Sequence, residues 1–198
     1  GVALSLKTLE NLLNIPLHYY VKINFQQFEK FIDAIGGIDI EVEKRMYYRD
    51  KTDKFLVDLT PGVHHLNGKE ALGYVRFRHD PMGDLARIER QQKFLKALFK
   101  QMKEKINLFN LPSYISLAGS IFETNASIME AITIATKFMN ITEEDINTFI
   151  MPGVPENING VSYVIPEDKK LKDILDEYFK TIPERRSDEF LEKQRKSS

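Results

Sequence analysis

The spacing of apolar residues switches between two and 3.6 several times along this chain, and that alternation limits the fold more than any other feature of the sequence. Tyr19 to Asn24 alternates around Val21 and Ile23 and reads as a strand. Phe28, Phe31, Ile32 and Ile35 then repeat at helical spacing until Gly36-Gly37 stops them. Ile38, Ile40 and Val42 return to period two. The exchange recurs on either side. Leu6, Leu9 and Leu13 predict a helix over residues 5–13 with Ser5 as its cap. A short helical piece at Asn67–Leu72 leads into an expected strand at Gly73–Arg78. A long helix follows from Asp84 to about Ile106, its stripe made of Leu85, Ile88, Leu95, Leu98, Phe99, Met102 and Ile106.

Further helices are expected near 112–122 and 126–139, and strands at Thr148–Met151 and Val161–Ile165. Pro166 suits the first turn of a last helix that buries Leu171, Ile174, Leu175 and Tyr178. Residues 44–60 read as a long loop or irregular hairpin, closed by a turn at Pro61-Gly62. The class is α/β, a central mixed sheet covered by helices on both faces. One domain is expected over residues 1–180, with a charged, fraying tail over 181–198.

Composition narrows the function classes. A formal net charge of −1 gives the whole chain no bulk attraction to nucleic acid or to anionic lipid, so any anion site must be local. The absence of cysteine removes disulfides, thiolate metal sites and thiol nucleophiles. No run approaches the roughly 18 apolar residues that span a bilayer. Gly1–Leu13 lacks the pattern of a signal peptide, so a membrane anchor would lie outside this chain.

The stretch Gly73–Gln91, GYVRFRHDPMGDLARIERQ, carries the chemistry. On a strand, Tyr74, Arg76 and Arg78 would share one face. Two guanidiniums so close together need solvent, carboxylates or an anionic ligand. Asp84, Arg87 and Gln91, spaced i, i+3, i+7, line one polar stripe of the following helix, whose N-terminus also favours anions. Guanidinium forks match phosphate oxygens two at a time. Residues 69–105 hold ten Lys/Arg against five Asp/Glu, a local charge of +5 that suits a small anionic ligand. The competing reading of the same residues is a surface salt-bridge network with Asp80, Asp84 and Glu89 as partners, Asp84 serving as a helix N-cap. None of His18, His64, His65 and His79 has metal-ligand spacing on a helix, and His64-His65 falls in a turn-like stretch. His79, beside the arginines, is a candidate for proton transfer or for a supporting loop role.

Three segments resemble the LytR–CpsA–Psr family: YYVKINFQQFEKFIDAIGGIDIEV at 19–42, VDLTPGVHHLNGKEALGYVRFRHD at 57–80 and GDLARIERQQKFLKAL at 83–98. The Arg-x-Arg pair followed by Asp-x-x-Arg-x-x-x-Gln is similar to that family's signature. The resemblance implies a three-layer α/β/α domain, incomplete at its N-terminus. It also implies a phosphotransferase that moves a glycopolymer, such as teichoic acid or capsule, from a polyprenyl pyrophosphate carrier to peptidoglycan. Carried over by residue, it implies that Arg76, Arg78, Arg87 and Gln91 contact the pyrophosphate and that Asp84 belongs with Arg76, Arg78 and Arg87 in the catalytic set. It implies Mg²⁺ held by aspartates upstream of Gly1, with no metal ligand in this chain. It further implies a single-pass anchor placing the domain on the extracellular face of the cell membrane. Two rivals remain: a non-catalytic binder of phosphorylated polysaccharide, and a DNA-binding transcriptional attenuator of the kind the family's older names suggest. The latter would need a recognition helix or a broad basic face. The sequence has neither, and nucleic acid is not an expected partner.

Overall fold

The computed structural model describes residues 1–49, 56–79 and 84–179. In chain order the elements are α1 (Val2–Leu13), β1 (Val21–Lys22), α2 (Phe25–Ala34), β2 (Ile38–Val42), β3 (Met46–Arg49), β4 (Leu56–Leu59), β5 (Gly62–Leu66) and α3 (Gly68–Arg76). They continue with α4 (Asp84–Lys105), α5 (Leu111–Ile121), β6 (Glu123–Thr124), α6 (Ile128–Phe138), β7 (Gly153–Ile158), β8 (Val161–Pro166) and α7 (Asp168–Tyr178), with a 3₁₀ turn at Glu143–Asp145. The mixed α/β class holds. Among the described residues the strands pair in four antiparallel two-stranded ladders: β1 with β6, β2 with β5, β3 with β4 and β7 with β8. The chain forms two compact units, Val21–Thr148 and Gly1–Tyr20 with Phe149–Ser198. Of the latter unit, the expected tail at 181–198 lies outside the described residues.

The Val21–Thr148 unit holds the core. β2 turns Ile38, Ile40 and Val42 inward, and Met46, Val57, Leu59 and Leu66 from the neighbouring strands meet them. Phe31, Ile32 and Ile35 of α2 and its C-cap pack on this set, as do Ala71 and Tyr74 of α3 and Phe94 of α4. α2 starts at Asn24 with a capping box: the Asn24 side chain accepts from the Gln27 N–H at 2.8 Å, and the Gln27 side chain accepts from the Asn24 N–H at 2.9 Å. Gly36 and Gly37 end it at φ of 82° and 79°, the left-handed region where glycine carries no Cβ penalty.

One expectation fails here, and it bears on the site. Gly73–Arg78 is not a strand. Asn67 and Glu70 form a second capping box, with bonds of 3.0 Å in both directions, and the helix they start runs on to Arg76. Ala71, Leu72 and Tyr74 then bury one helical face, a stronger constraint than the apparent alternation of Tyr74 to Arg78. Gly68 allows this packing. A Cβ there would lie 2.2 Å from the Glu29 carbonyl oxygen of α2.

In the other unit, the Glu10 side chain of α1 is buried and accepts the Leu17 N–H at 3.0 Å. α1 begins at Val2, ahead of the expected Ser5 cap. The strand expected at Thr148–Met151 lies further on, at Gly153–Ile158, where it pairs with β8 across Asn159-Gly160. Both turn residues have positive φ, 54° and 81°, as a tight hairpin requires.

Candidate functional site

The end of α3 and the start of α4 bring Arg78, Asp84 and Arg87 together, by a route the strand reading did not foresee, while Arg76 and Gln91 make contacts of their own. Arg76 is the last residue of α3. Phe77 then turns extended, with its N–H still donating to the Gly73 carbonyl at 3.1 Å and its ring buried, so that Arg78 leaves the core toward solvent. α4 opens at Asp84. One Asp84 carboxylate oxygen forms ion pairs with Arg78 Nε at 3.3 Å and with Arg87 Nη2 at 3.2 Å, so the carboxylate bridges two guanidiniums from different elements. Asp84 is thus the first helical residue with its side chain turned to the arginines, which replaces the simple N-cap reading. Asp80, a partner in the salt-bridge reading, lies outside the described residues.

The other two residues join the same corner through separate contacts. Gln91 Nε2 donates to the Val75 carbonyl at 3.2 Å, tying the second turn of α4 to the end of α3. Arg76 lays its guanidinium over the Phe25 ring, 4.2 Å from the centroid, at the first residue of α2. Tyr74, expected on the same face as the arginines, is fully buried in the core instead.

Arg87 is the unusual member. Its side chain is only 22% exposed, and its Nε is buried with no hydrogen-bond partner among the described residues. A buried donor left unmade costs about 1–3 kcal/mol, and proteins rarely leave a cationic one unsatisfied. Beside it lie Arg78 and the start of α4, where free N–H groups and the helix dipole add positive potential. Among the described residues, the one exposed carboxylate that pairs with both guanidiniums leaves this corner with an excess of positive charge. An oxyanion ligand would balance it.

A further arginine was missed in the sequence. Arg90 is buried, with its side chain 1% exposed. Its Nε donates to Glu43 Oε1 at 3.1 Å, and its Nη1 donates to the Phe77 carbonyl at 2.8 Å. The Tyr74 hydroxyl donates to the other Glu43 oxygen at 3.3 Å. Burial works to raise the Glu43 carboxyl, but a backbone hydrogen bond, the Arg90 bond and the charges of Arg90 and Lys93 outweigh it and hold it below its ordinary value. Burial, aided by the Glu43 charge, pushes the Tyr74 phenol upward, so it stays a neutral donor. The signal for Arg90 was present. It stands four residues before Phe94, on the face that also buries Gln101. The expected stripe ran instead through Leu85 and Leu95, which are 40% and 60% exposed.

The histidines are accounted for by packing and pairing. The His79 ring stacks on Tyr48 at 4.4 Å and 28° and meets Phe77 at 5.8 Å, contacts that fit its supporting loop role. His64 and His65 lie in β5 and not in a turn. His65 Nδ1 is 2.6 Å from Asp39 Oδ1 on the paired strand, and His64 Nε2 is 2.8 Å from the Thr60 carbonyl. Among the described residues no three His, Asp or Glu side chains converge as a metal site would need, and no helix is long and apolar enough to cross a membrane.

Comparison with known proteins gives a consistent picture. The LytR_cpsA_psr family profile matches residues 1–180. The chain is 35% identical over 188 residues to Regulatory protein MsrR of Staphylococcus aureus, covering 89% of this chain and 56% of that protein. It is 30% identical to the polyisoprenyl-teichoic acid–peptidoglycan teichoic acid transferase TagV of Bacillus subtilis, over 91% of this chain and 48% of that one. The chain therefore spans about half the length of these relatives. The crystal structure of B. subtilis TagV superposes with a TM-score of 0.77 at 29% identity, covering 92% of this chain and 72% of TagV. TagT bound to LIIa-WTA superposes with a TM-score of 0.71 at 29% identity, covering 89% and 66%.

Proposed function

The chain belongs to the LytR_cpsA_psr family, and from that premise we propose that it is the arginine-bearing part of a phosphotransferase that moves a polyprenyl-pyrophosphate-linked glycopolymer onto peptidoglycan. The likeness to TagV, named as a teichoic acid transferase, and to TagT bound to LIIa-WTA supports a teichoic-acid-type substrate. The observation that carries the reading is the buried Nε of Arg87, without a hydrogen-bond partner among the described residues, beside the Arg78–Asp84–Arg87 bridge.

The chemistry is an exchange at phosphorus. An acceptor sugar hydroxyl forms a new O–P bond at the phosphorus attached to the glycopolymer. The bond from that phosphorus to the bridging oxygen breaks, and polyprenyl phosphate leaves with the electron pair. The hydroxyl proton passes to solvent. Arg87 supplies Nε–H and Arg78 its fork to the phosphoryl oxygens, where charge must be held throughout the transfer. Asp84 keeps the two guanidiniums at a common distance. Arg76, braced on Phe25, and Gln91, fastened to Val75, complete the rim of the proposed pyrophosphate site.

Mg²⁺ fits this chain's described residues poorly, because Asp84 is already shared by two guanidiniums and no other ligand set is present among them. In the same proposal its ligands are expected beyond the described residues, and no step is routed through it. An extracellular location beside the membrane, with an anchor outside this chain, belongs to the same proposal.

The test is transfer by the full-length protein, using a polyprenyl-pyrophosphate-linked teichoic acid precursor and peptidoglycan. Arg78→Ala and Arg87→Ala should each lower kcat/KM by at least tenfold, the loss of one charge-assisted bond of about 1.5–3 kcal/mol. Wild-type rates in both folded variants would remove the arginines from the reaction.

A further inference from the structure

Arg90 occupies a place in this corner that pyrophosphate binding does not explain. Its guanidinium is enclosed, with Tyr74 and Phe77 rings at 5.7 and 5.5 Å, so it cannot reach a ligand in the solvent-facing corner. Yet its Nη1 donates to the carbonyl of Phe77, the residue between Arg76 and Arg78. That carbonyl and the Arg78 N–H belong to one rigid peptide plane. Holding the carbonyl sets the plane, and the plane sets where Arg78 starts. The Phe77 N–H is held as well, by the Gly73 carbonyl at 3.1 Å, so the backbone between Arg76 and Arg78 is pinned on both sides of one residue.

The guanidinium is itself held. Glu43, just beyond β2, takes its Nε–H, and the Tyr74 hydroxyl of α3 holds the other Glu43 oxygen. A single side chain on α4 thereby ties the end of β2 to the residue that closes α3. Arg87, on the same helix one turn earlier, shares Asp84 with Arg78. Both ends of the Arg78–Asp84–Arg87 bridge are therefore referenced to α4: one directly, the other through Arg90 and Phe77.

We propose that Arg90 is the positioning residue of the arginine site, acting through the Phe77 carbonyl to fix Arg78 relative to Asp84 and Arg87. Its consequence for catalysis rests on the phosphotransferase reading; its geometric part does not. A buried arginine paired with a half-exposed carboxylate usually adds little net stability over well-packed apolar side chains, so fold stability alone does not account for it. Lysine keeps the charge and most of the stem, but an ammonium is a point donor and not a fork, and it cannot serve Glu43 and the Phe77 carbonyl in the same geometry.

The test uses the 198-residue chain with arginine side chains labelled for NMR, lines assigned by single Arg→Lys changes, and inorganic pyrophosphate as probe. In Arg90→Lys the melting temperature should stay within a few degrees of wild type. The Nε–Hε lines of Arg78 and Arg87 should shift or broaden, and pyrophosphate affinity should fall about tenfold, within the range that misplacing a reacting group by about 1 Å produces. In the full-length enzyme the same change should lower kcat while leaving KM for the acceptor unchanged. If Arg90→Lys does not fold, Glu43→Ala carries the test: the half-exposed carboxylate is removed, the guanidinium loses its Nε partner, and the Arg78 line should move in the same direction by less. Unmoved Arg78 and Arg87 lines in a folded Arg90→Lys or Glu43→Ala chain would overturn the proposal. Should wild type fail to bind pyrophosphate, the phosphate reading falls, while the Arg78 and Arg87 lines still decide whether Arg90 positions them.

Discussion

The two ends of α4 are built on opposite terms. Toward its C-terminus the side chains of Gln101, Lys103 and Lys105 bond to protein backbone. The Gln101 amide donates to the Gly37 carbonyl while its oxygen accepts the Asp39 N–H at 3.1 Å, stitching the helix to the start of β2. Lys103 and Lys105 donate to the carbonyls of Ile141 and Ile35 at 2.5 and 2.6 Å. Phe94 fills the core against Phe28, ring centroids 5.4 Å apart. At the N-terminus the pattern breaks. Two guanidiniums share one exposed carboxylate, and a buried Nε has no acceptor among the described residues. Among the described residues the far end of the helix satisfies these polar groups and the near end leaves one open, and the proposed anion site rests on that difference. Arg90 stands at the junction, closed like the far end but gripping the backbone of the near one.

This contrast predicts that stability and anion affinity come apart along the helix. Phe94→Ala should have the largest effect on folding, about 3–5 kcal/mol by chemical denaturation, since a large core aromatic leaves a cavity. Pyrophosphate affinity of the protein that remains folded should hold. Gln101→Leu should follow at about 1–3 kcal/mol, because the Gly37 carbonyl and the Asp39 N–H lose their partner together. A drop in pyrophosphate affinity from Gln101→Leu as large as that from Arg87→Ala would erase the distinction between the two ends.

The junction has its own signature in pH. The Tyr74 phenol is raised above its ordinary value of 10.0, so the unfolded chain loses this proton first as pH rises. The stability it contributes is complete below about pH 10 and is lost progressively above it. The Glu43 carboxyl is lowered from 4.5, so its contribution is present above that pH and lost as pH falls below it. Thermal melts of Tyr74→Phe should show a flatter alkaline limb than wild type. An unchanged limb would mean that Tyr74 does not stay neutral at the junction.

How much of this could be read in the sequence differs by residue. The length of α4, the stop at Gly36-Gly37 and the Arg78, Asp84, Arg87 grouping were legible, because helical spacing and left-handed glycines are local properties. Of α3 only the start was: residues 67–72 read as helix, but not its continuation to Arg76, although Asn67 and Glu70 are a capping box in plain sight. Tyr74 to Arg78 alternates well enough to pass for a strand, and only packing against α2 and β4 decides the matter. β7 lies further along than the strand expected at Thr148–Met151 because Asn159-Gly160, a strong hairpin signal, sets which residues pair with β8. Arg90 was hidden for a different reason. An arginine at a core-facing position looks like a break in an apolar stripe, and its partners Glu43 and Phe77 are distant in sequence. Of the expected stripe, Leu98 and Met102 do pack against the core, but Leu85 and Leu95 are exposed and the fully buried face runs through Arg90, Phe94 and Gln101.

The central claim is that Arg87 keeps its Nε–H for a phosphate oxygen. The most direct measurement follows the Arg87 Nε–Hε resonance of the 198-residue chain during titration with inorganic pyrophosphate, with calorimetry on Arg87→Ala beside it. The account predicts a saturable shift of that resonance. It also predicts a loss of about 1.5–3 kcal/mol of binding in Arg87→Ala, with thermal stability nearly unchanged. A resonance that does not move, or a variant that melts far earlier while binding pyrophosphate as wild type does, would show that Arg87 is a structural residue and that the open end of α4 is not an anion site.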